Sequence, residues 1–329
     1  MPATVDELQS AKAVVQAANR DIDTSGPQDV ARAIADHVAA DYRWRGMHPF
    51  NELASAEAVA EAFWEPLKVA MAPLQRRADM FLAGANQVDD WSTIWVVEMG
   101  HLMGIWERPW LGVAPTGKLA FLRYAEFHRI DNGKLAETTC FVDILNLLAV
   151  SGQKVTLEIT GIELLTPGPR NHDGLLHHPQ PPEEGRKTVE LIAAMIADLR
   201  ANSLCSPKSH FDRFWTSDMC WFGPGGIGAS AFHHGYRRGH AEPFQEGLEF
   251  IRYREHVTRI GEGHFGGFFG YPSLTMRSRG YLGLPASDTS ADMRIVDLYR
   301  RHGGKLAENW IFIDIPHFLA MQGIGILPG

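Results

Sequence analysis

The stretch Glu308-Asn309-Trp310-Ile311-Phe312-Ile313-Asp314, near the end of the chain, decides the fold prediction. Aromatic and branched apolar residues lead to one carboxylate, a composition typical of a buried β-strand. A second copy lies 171 positions earlier: Gly133-Lys134-Leu135-Ala136-Glu137 leads to Asp143 as Gly304-Lys305-Leu306-Ala307-Glu308 leads to Asp314. The chain is therefore an internal duplication.

The repeat extends upstream of this stretch. Pairs at the same offset are Trp110 with Tyr281, Arg123 with Arg294, Glu126 with Asp297, and His128 with Tyr299. At an offset of 170, Pro73-Leu74 is aligned with Pro243-Phe244, and Gly100 with Gly270. One single-residue insertion separates the two registers.

Length and composition predict two globular domains. The chain has 329 residues, about twice a typical domain, and 45% of them are hydrophobic. Residues 166–187 are rich in proline and poor in apolar side chains, as expected of an exposed linker. We therefore predict a first domain at 1–165 and a second at 188–329.

Charge and cysteine content exclude several classes of function. A formal net charge of −8 argues against a nucleic-acid partner, and the dense arginines Arg252, Arg254 and Arg259 are interpreted as a solvated strand face. No apolar run reaches the roughly 20 residues of a membrane span. Three cysteines fit neither a disulfide framework nor a zinc site. Because no signal peptide is evident, we expect a cytoplasmic protein.

The order of the predicted elements is helices first, then sheet, which indicates an α+β domain without parallel crossovers. Predicted helices cover Val5–Arg20, Asp29–Ala39, Ala56–Ala70 and Thr188–Ala201, with a break over Trp44–Pro49. Predicted strands lie near 78–83, 93–97 and 119–130, and an unassigned strand over 155–165. Asp131-Asn132-Gly133 and His302-Gly303-Gly304 are predicted to form three-residue hairpin loops.

The second half resembles the SnoaL-like polyketide cyclase family, within the nuclear-transport-factor-two-like superfamily. The motifs that carry the resemblance are Trp221-Phe222-Gly223-Pro224-Gly225-Gly226, Phe232-His233-His234, Gly280-Tyr281-Leu282-Gly283, Asp297-Leu298-Tyr299-Arg300, and Gly304-Lys305 through Trp310 to Asp314. They span most of residues 190–329. The first half matches from Trp110 onward but has Thr139 in place of Trp310.

The resemblance implies two cone-shaped α+β domains, each a curved antiparallel sheet covered by N-terminal helices around an apolar pocket. Members of the family often pair through their sheets, so the chain is expected to be an intramolecular pseudo-dimer, with further homo-oligomerisation left open. The expected ligand is a small hydrophobic molecule. Family cyclases use an aspartate as acid/base without metal or organic cofactor, so no cofactor is predicted and Asp314 is matched to that aspartate.

Strand alternation predicts which side chains face the pocket. Trp310, Phe312 and Asp314 share one face, predicted to line the pocket, while Ile311, Ile313 and Ile315 share the other, predicted to join the domains. A carboxylate in an apolar pocket has a raised pKa, which suits proton transfer near neutral pH.

Arg294 leaves the role of Asp314 open. If Arg301 stands opposite Lys305, Arg294 lies diagonal to Asp314 and Asp292 lies directly opposite it. The arginine then forms a structural ion pair with Asp314, or binds a ligand beside Asp314 as the acid/base group. A third alternative is that Asp314 is a buried acid without a partner. The same geometry pairs Arg123 with Asp143 in the first half.

The remaining candidates are histidines and aromatics. His233-His234 is predicted near the pocket mouth, where His240 and His264 also approach. In the first half, Trp91, Trp95, Trp106 and Trp110 around Glu98 and His101 predict either core packing or a second pocket. The predicted catalytic residues are Asp314, Arg294 and His234. The predicted ligand-binding residues are Trp310, Phe312, Trp221, His233, His264, Asp143, Arg123 and Trp95, and no metal ligands are predicted.

Three functional hypotheses follow from the sequence. The first is cofactor-free acid/base chemistry, of the cyclase, isomerase or hydrolase kind, on a hydrophobic carbonyl or polyketide-like compound. The second is a binding protein that sequesters such a ligand. In the third, one domain only completes the interface, a role that Thr139 favours for the first domain.

Overall fold

The computed structural model describes residues 3–153 and 155–327, and both halves place helices before a curved sheet. Thr4 begins the first helix by accepting a hydrogen bond from the Glu7 backbone N–H, while the Glu7 carboxylate accepts from the Thr4 N–H. The first-half elements are α1 (Val5–Thr24), α2 (Val30–Ala35), β1 (Val38–Gly46), β2 (Glu52–Leu53), α3 (Ala56–Val59), α4 (Glu65–Ala70), β3 (Met71–Ala85), β4 (Ile94–Trp106), β5 (Leu119–Asp131), β6 (Lys134–Val142) and α5 (Ile144–Val150).

The second half repeats this order with different lengths. Its elements are α6 (Pro182–Ala201), α7 (Lys208–Phe214), β7 (Trp215–Phe222), β8 (Ala229–Ala231), α8 (Phe232–Tyr236), α9 (Glu242–Gly247), β9 (Leu248–Tyr253), β10 (Thr258–Glu262), β11 (Phe265–Ser278), β12 (Ser290–His302), β13 (Lys305–Ile313) and α10 (Ile315–Ala320). Strands β9 and β10 both pair with β11, as the single long strand β3 pairs with β4.

Each sheet is antiparallel except for one parallel pair. The first sheet has the order β2-β1-β6-β5-β4-β3, and the second has β10-β11-β12-β13-β7-β8. The parallel pairs are β1 with β6 and β7 with β13, which occupy equivalent places in the two halves. The fold class is α+β as predicted, with one parallel strand pair in each otherwise antiparallel sheet.

Several predicted boundaries differ from the structure. The second helix ends at Ala35, because from Val38 the chain enters β1, and this strand also includes Trp44 from the predicted break. The third predicted helix is continuous, since a π-helical turn over 60–64 joins α3 to α4. The predicted strand at 155–165 forms only one isolated bridge, between Ile162 and Ala229. Lys154 lies outside the described residues.

The structure corrects the upstream alignment of the repeat. In both halves a π-helical turn is followed by a Glu-Pro pair, at Glu65-Pro66 and at Glu242-Pro243. Pro66-Leu67, not Pro73-Leu74, is therefore the counterpart of Pro243-Phe244. Leucine follows both Pro66 and Pro73, so residue types alone did not distinguish the two prolines.

The hairpin loops have two residues, not three. Asp131 pairs with Lys134 across Asn132-Gly133, whose φ angles of +48° and +73° suit a tight turn, and His302 pairs with Lys305. A register shift follows in the second hairpin, where Arg300 pairs with Glu308 and Arg301 with Leu306.

This register changes the partner of Asp314. The backbone N–H of Asp314 donates to the carbonyl oxygen of Arg294, so Arg294 and not Asp292 stands opposite it. The predicted diagonal placement of Arg294 was therefore wrong, although the predicted proximity of the two side chains is confirmed at 3.4 Å.

The segment between the halves is held against them rather than fully exposed. Phe81 donates to the carbonyl oxygen of Gly174 and accepts from the N–H of Leu176, and the indole of Trp310 donates to the carbonyl oxygen of Pro167 at 2.8 Å. Helix α6 begins at Pro182, six residues before the predicted helix start at Thr188.

The two halves pack through their sheets around one apolar core, called here the intersheet core. Its buried members are Met47, Met80, Leu82, Trp95, Val97, Met99, Ala125, Phe127, Phe141, Ile260, Phe265, Phe269, Val296, Leu298, Trp310 and Phe312. They come from both halves. The ring of Phe269, for example, lies 5.4 Å from that of Trp95 and 5.2 Å from that of Phe127.

The predicted roles of the two faces of β13 were inverted. Trp310 and Phe312 lie in the intersheet core, whereas Ile311, Ile313 and Ile315 pack with the helices of the second half. Both faces are apolar, so alternation separated them but did not identify the face that meets the other domain. Among the described residues, no helix is long and apolar enough to cross a bilayer.

Replacing Phe269 by Ala tests the intersheet core. The side chain is fully buried, so we expect the free energy of unfolding to fall by about 3–5 kcal/mol in urea titrations. Phe250→Ala is the matched control, because Phe250 is 42% exposed, and its effect should stay within about 0.5 kcal/mol. Equal losses for the two variants would contradict the assignment.

Candidate active site

A largely apolar cavity of about 120 Å³ opens between the helices and the sheet of the second half. Its walls come from α6, β7, the α8–α9 region and the strands β9 and β11–β13. The lining includes Met195, Leu199, Arg200, Trp221, Tyr236, His240, Phe244, Tyr253, His256, Phe268, Ile295, Asp297, Tyr299, Asn309, Ile311 and Ile313. This cavity lies on the isoleucine face of β13, and neither Trp310 nor Phe312, which were predicted to line a pocket, belongs to its wall.

Strand alternation on β12 turns Ile295, Asp297 and Tyr299 toward this cavity and Val296 and Leu298 toward the intersheet core. Tyr299 stands opposite Asn309 of β13. One face of a two-stranded ladder thus carries three polar groups, from Asp297, Tyr299 and Asn309, among apolar neighbours.

Asp297 is the carboxyl group of the cavity. It is 7% exposed; its Oδ2 accepts from the Tyr299 hydroxyl at 2.6 Å, and its Oδ1 accepts from the Asn309 amide. The Asn309 amide also donates to the carbonyl oxygen of Leu298, which fixes its orientation. Burial raises the pKa of Asp297 to about 7, although both hydrogen bonds favour the charged form.

Two histidines share the cavity with Asp297. The His240 ring stacks on Trp221 at 4.1 Å, and burial lowers its pKa to about 3. The His256 ring stacks on Phe268 at 3.9 Å, and burial and the nearby Arg259 lower its pKa to about 3. Both imidazoles are therefore neutral at physiological pH.

The other predicted histidines lie elsewhere. His234 is exposed on α8 and stacks on Phe232, whereas His233 packs on Phe211, and His264 lies in the β10–β11 turn near Glu184. None of the three lines the cavity. Of the predicted ligand-binding residues, Trp221 does line it, and His240 approaches it as expected.

Asp314 is fully buried but lies at the interface between the halves, outside the cavity. It begins α10, where its Oδ1 accepts from the His317 N–H at 3.0 Å and its Oδ2 accepts from the His48 N–H at 2.9 Å. Arg294 lies 3.4 Å from Oδ2. Burial raises the pKa of Asp314 to about 6. The structural ion pair is the alternative that this geometry favours.

Asp143 makes the equivalent contacts from the first half to the second. It begins α5, accepts from the Asn146 N–H at 3.1 Å, and accepts from the Gly225 N–H of the second half at 3.0 Å. Arg123 lies 3.5 Å away. Each half therefore uses the aspartate after its last strand to hold a backbone N–H of the other half. A Cβ on Gly225 would meet the Asn146 nitrogen at 2.0 Å, so this approach requires glycine.

The first half has a closed counterpart of the cavity. Glu126 occupies the repeat position of Asp297, and Arg76 makes ion pairs with it at 2.6 Å and with Glu98 at 3.0 Å. Tyr124 also donates to Glu98. The Arg76 guanidinium also lies 5.1 Å from the centroid of the Tyr124 ring. The side chains of Arg76, Tyr124 and the two glutamates therefore occupy the place that the cavity has in the second half.

Arg76 stands where the second half has Tyr253. In the strand ladders Arg76 pairs with Leu102 and Tyr253 pairs with Leu274. These two leucines pair in turn with Leu122 and Met293, which are 171 residues apart and therefore equivalent in the repeat. Tyr253 lines the open cavity. Of the two predicted alternatives for the four tryptophans, core packing holds for three, since Trp95 lies in the intersheet core and Trp106 and Trp110 lie in the first-half core.

Sequence reasoning missed Asp297 and Tyr299 as site residues. Both belonged to the aligned pairs Glu126/Asp297 and His128/Tyr299, in which polar side chains recur two residues apart on one strand face. That recurrence was a usable signal. Within residues 3–153 and 155–327, no group of three or more His, Cys, Asp or Glu side chains is arranged to hold a metal ion.

No family model and no curated protein matches the chain. An NTF2-like protein from Burkholderia thailandensis matches 44% of this chain over 98% of its own length, at 22% identity and a TM-score of 0.33.

A candidate SnoaL-like polyketide cyclase from Jannaschia matches 44% of this chain over 94% of its own length, at 19% identity and a TM-score of 0.35. A candidate polyketide cyclase from Xanthomonas campestris matches 44% of this chain over 97% of its own length, at 15% identity and a TM-score of 0.34. The matched structures are NTF2-like and SnoaL-like. Each corresponds to less than half of this chain.

Replacing Asp314 by Asn tests its structural role. The new amide must turn its NH2 group toward one of two backbone N–H donors, so we expect a loss of about 1–3 kcal/mol in the free energy of unfolding. Asp288→Asn, the same change at an exposed loop position, is the control and should be neutral. An unchanged urea midpoint for Asp314→Asn would contradict this role.

Proposed function

We propose that the chain is a cofactor-free acid/base enzyme that acts on a small hydrophobic carbonyl compound, with Asp297 as the group that transfers the proton. One observation carries this proposal. A carboxyl with a pKa of about 7 faces an apolar cavity and keeps hydrogen-bonding capacity beyond the bonds from Tyr299 and Asn309.

The chemistry follows from the pKa. A carboxylate that titrates near neutrality is basic enough to remove a proton from a carbon next to a carbonyl group, and as an acid it returns the proton to another atom. Isomerisation and ring closure through an enolate both need only these two steps. The resemblance of the sequence motifs to SnoaL-like cyclases favours the same class of reaction.

The cavity limits the ligand in size and polarity. Its volume of about 120 Å³ is close to the roughly 150 Å³ of an engineered apolar cavity that binds benzene. Aromatic and aliphatic side chains dominate the walls. A compound with one ring, or an extended chain of similar volume, therefore suits the site best.

Asp314 is less suited to this role. Its oxygens already accept from two backbone N–H groups that join the halves, and Arg294 stands beside it. Moving a proton at Asp314 would disturb the interface. We therefore transfer the acid/base role from Asp314 to Asp297 and assign Arg294 to the ion pair.

A non-catalytic binding protein is the second candidate function. It is favoured by the fact that each oxygen of Asp297 already accepts one hydrogen bond. Native mass spectrometry of protein purified from its own host separates a stably retained ligand from a substrate that turns over. A ligand retained by the wild type and equally by Asp297→Asn, without turnover, supports binding alone.

Exchange of the α-protons of acetophenone for deuterium, followed by NMR in D2O, tests the catalytic role. We expect the wild-type rate to rise with pH around a midpoint near 7, because the carboxylate is the base. Asp297→Asn should lose about 10²-fold or more. Glu126→Gln, at the repeat position in the closed first half, should keep the wild-type rate. Equal rates for wild type and Asp297→Asn would refute the proposal.

The same pKa predicts how stability depends on pH. Because burial raises the pKa of Asp297 from 3.8 to about 7, the folded protein binds a proton that the unfolded chain has released between about pH 4 and 7. This contribution to stability is complete below about pH 4 and is lost as pH rises through 7.

Asp297→Asn should remove this pH dependence. Between pH 5 and pH 8, the free energy of unfolding should fall by roughly 3 kcal/mol more in the wild type than in the variant, as measured by urea titration at each pH. Asp288→Asn should show a constant difference from wild type. A constant difference for Asp297→Asn would mean that Asp297 is ionised throughout this range.

A further inference from the structure

His256 lies in the loop between β9 and β10 and is part of the cavity wall. Its ring is nearly parallel to that of Phe268, at an interplanar angle of 5°. Phe268 stands directly opposite Asp297 in the β11–β12 ladder, where side chains on one face are neighbours. Phe268 is thus a neighbour of both the His256 imidazole and Asp297, whose carboxyl group the proposed function uses.

Arg259 determines which nitrogen of His256 carries the proton. Its Nη2 lies 3.2 Å from His256 Nδ1. A guanidinium only donates hydrogen bonds, so Nδ1 must be the acceptor and the ring hydrogen must be on Nε2. A second proton on this ring would face the Arg259 charge, with Arg200 of α6 also near.

The first half holds Arg259 in place. Arg259 Nη1 donates to Gln87 Oε1 at 2.7 Å, and the Arg259 backbone N–H donates to Asn86 Oδ1 at 3.0 Å. The Asn86 amide donates to the carbonyl oxygen of Val257. The loop that carries His256 is therefore fixed by two side chains of the other half, which gives the closed first half a supporting role at the cavity.

Nε2 of His256 has no hydrogen-bond partner in the protein over residues 3–153 and 155–327. The Nε2–H donor lies on the edge of the imidazole ring that faces away from Arg259. Because the ring belongs to the cavity wall, a ligand in the cavity is the available acceptor.

We propose that His256, held by Arg259 as the neutral Nε2–H tautomer, donates a hydrogen bond to the carbonyl oxygen of the ligand. This rests on the proposed acid/base function of Asp297. As Asp297 takes the α-proton, the C–H electron pair forms the C=C bond of an enolate and the carbonyl π pair moves to oxygen. The Nε2–H group stabilises that oxygen without giving up its proton, and the reverse step returns the α-proton from Asp297.

The tautomer is tested without any activity measurement. Long-range ¹H–¹⁵N correlation spectra of labelled protein, with His256→Gln to identify the signals, should show His256 protonated only on Nε2 from pH 5.5 to 8. Arg259→Met should mix the two tautomers, because Nδ1 loses its donor. Protonation on Nδ1, or on both nitrogens at pH 5.5, would overturn the inference, as would an unchanged spectrum of Arg259→Met.

Acetophenone then tests the donor role. Its addition should shift the His256 Nε2–H signal in wild type and in Asp297→Asn alike. Binding that shifts signals of Tyr299 or Phe268 but leaves Nε2–H unmoved would overturn it. If Nε2–H shifts but the wild type exchanges no α-protons, the acid/base proposal fails while the donor inference stands.

Exchange rates of His256 variants test the donor role kinetically. His256→Phe should lower the exchange rate by about 10²-fold, the cost of removing one donor to a developing oxyanion, and leave the midpoint near pH 7 in place. His256→Gln keeps an amide N–H and should recover part of the rate. Equal loss in both variants, with a shifted midpoint, would indicate a structural role for His256 instead.

Discussion

The apolar layer between the two sheets is the constraint on which the rest of the molecule depends. Each sheet has one face covered by its own helices, and the other would be left in water if the halves were apart. Joining them buries Trp95, Phe269 and Trp310 in one core. Because burial of large aromatic side chains supplies much of the stability of such an interface, the two halves form one structural unit.

Polar contacts at the edges of this layer fix how the halves are joined. Asp143 and Asp314 each begin a helix in their own half and accept a backbone N–H from the other. A buried Lys12–Glu262 ion pair at 2.6 Å adds a third link. Apolar packing has little directionality, so these bonds give the interface its orientation.

Duplication has left one half open and the other closed. Glu126 and Asp297 share a repeat position, yet Arg76 neutralises the first and fills the space beside it, while Tyr253 leaves a cavity beside the second. An arginine partner favours the ionised carboxylate, and an apolar wall disfavours it. The same strand position therefore holds a structural ion pair in one half and a carboxyl with a pKa near neutrality in the other. Asn86 and Gln87 of the closed half also hold the loop of His256.

The sequence by itself determined the duplication, the α+β class, the main hairpin strands and the proximity of Arg294 to Asp314, because repeats, turns and strand pairing are local or near-local signals. It did not determine which face of β13 meets the other half, since Trp310 and Ile311 are equally apolar and only the docking of the two sheets separates them. Nor did it show that Asp314 begins a helix at the interface while Asp297 faces the cavity. The environment of a carboxylate depends on residues far apart in the chain, such as Tyr253 and Asn309, and only the tertiary structure brings them together.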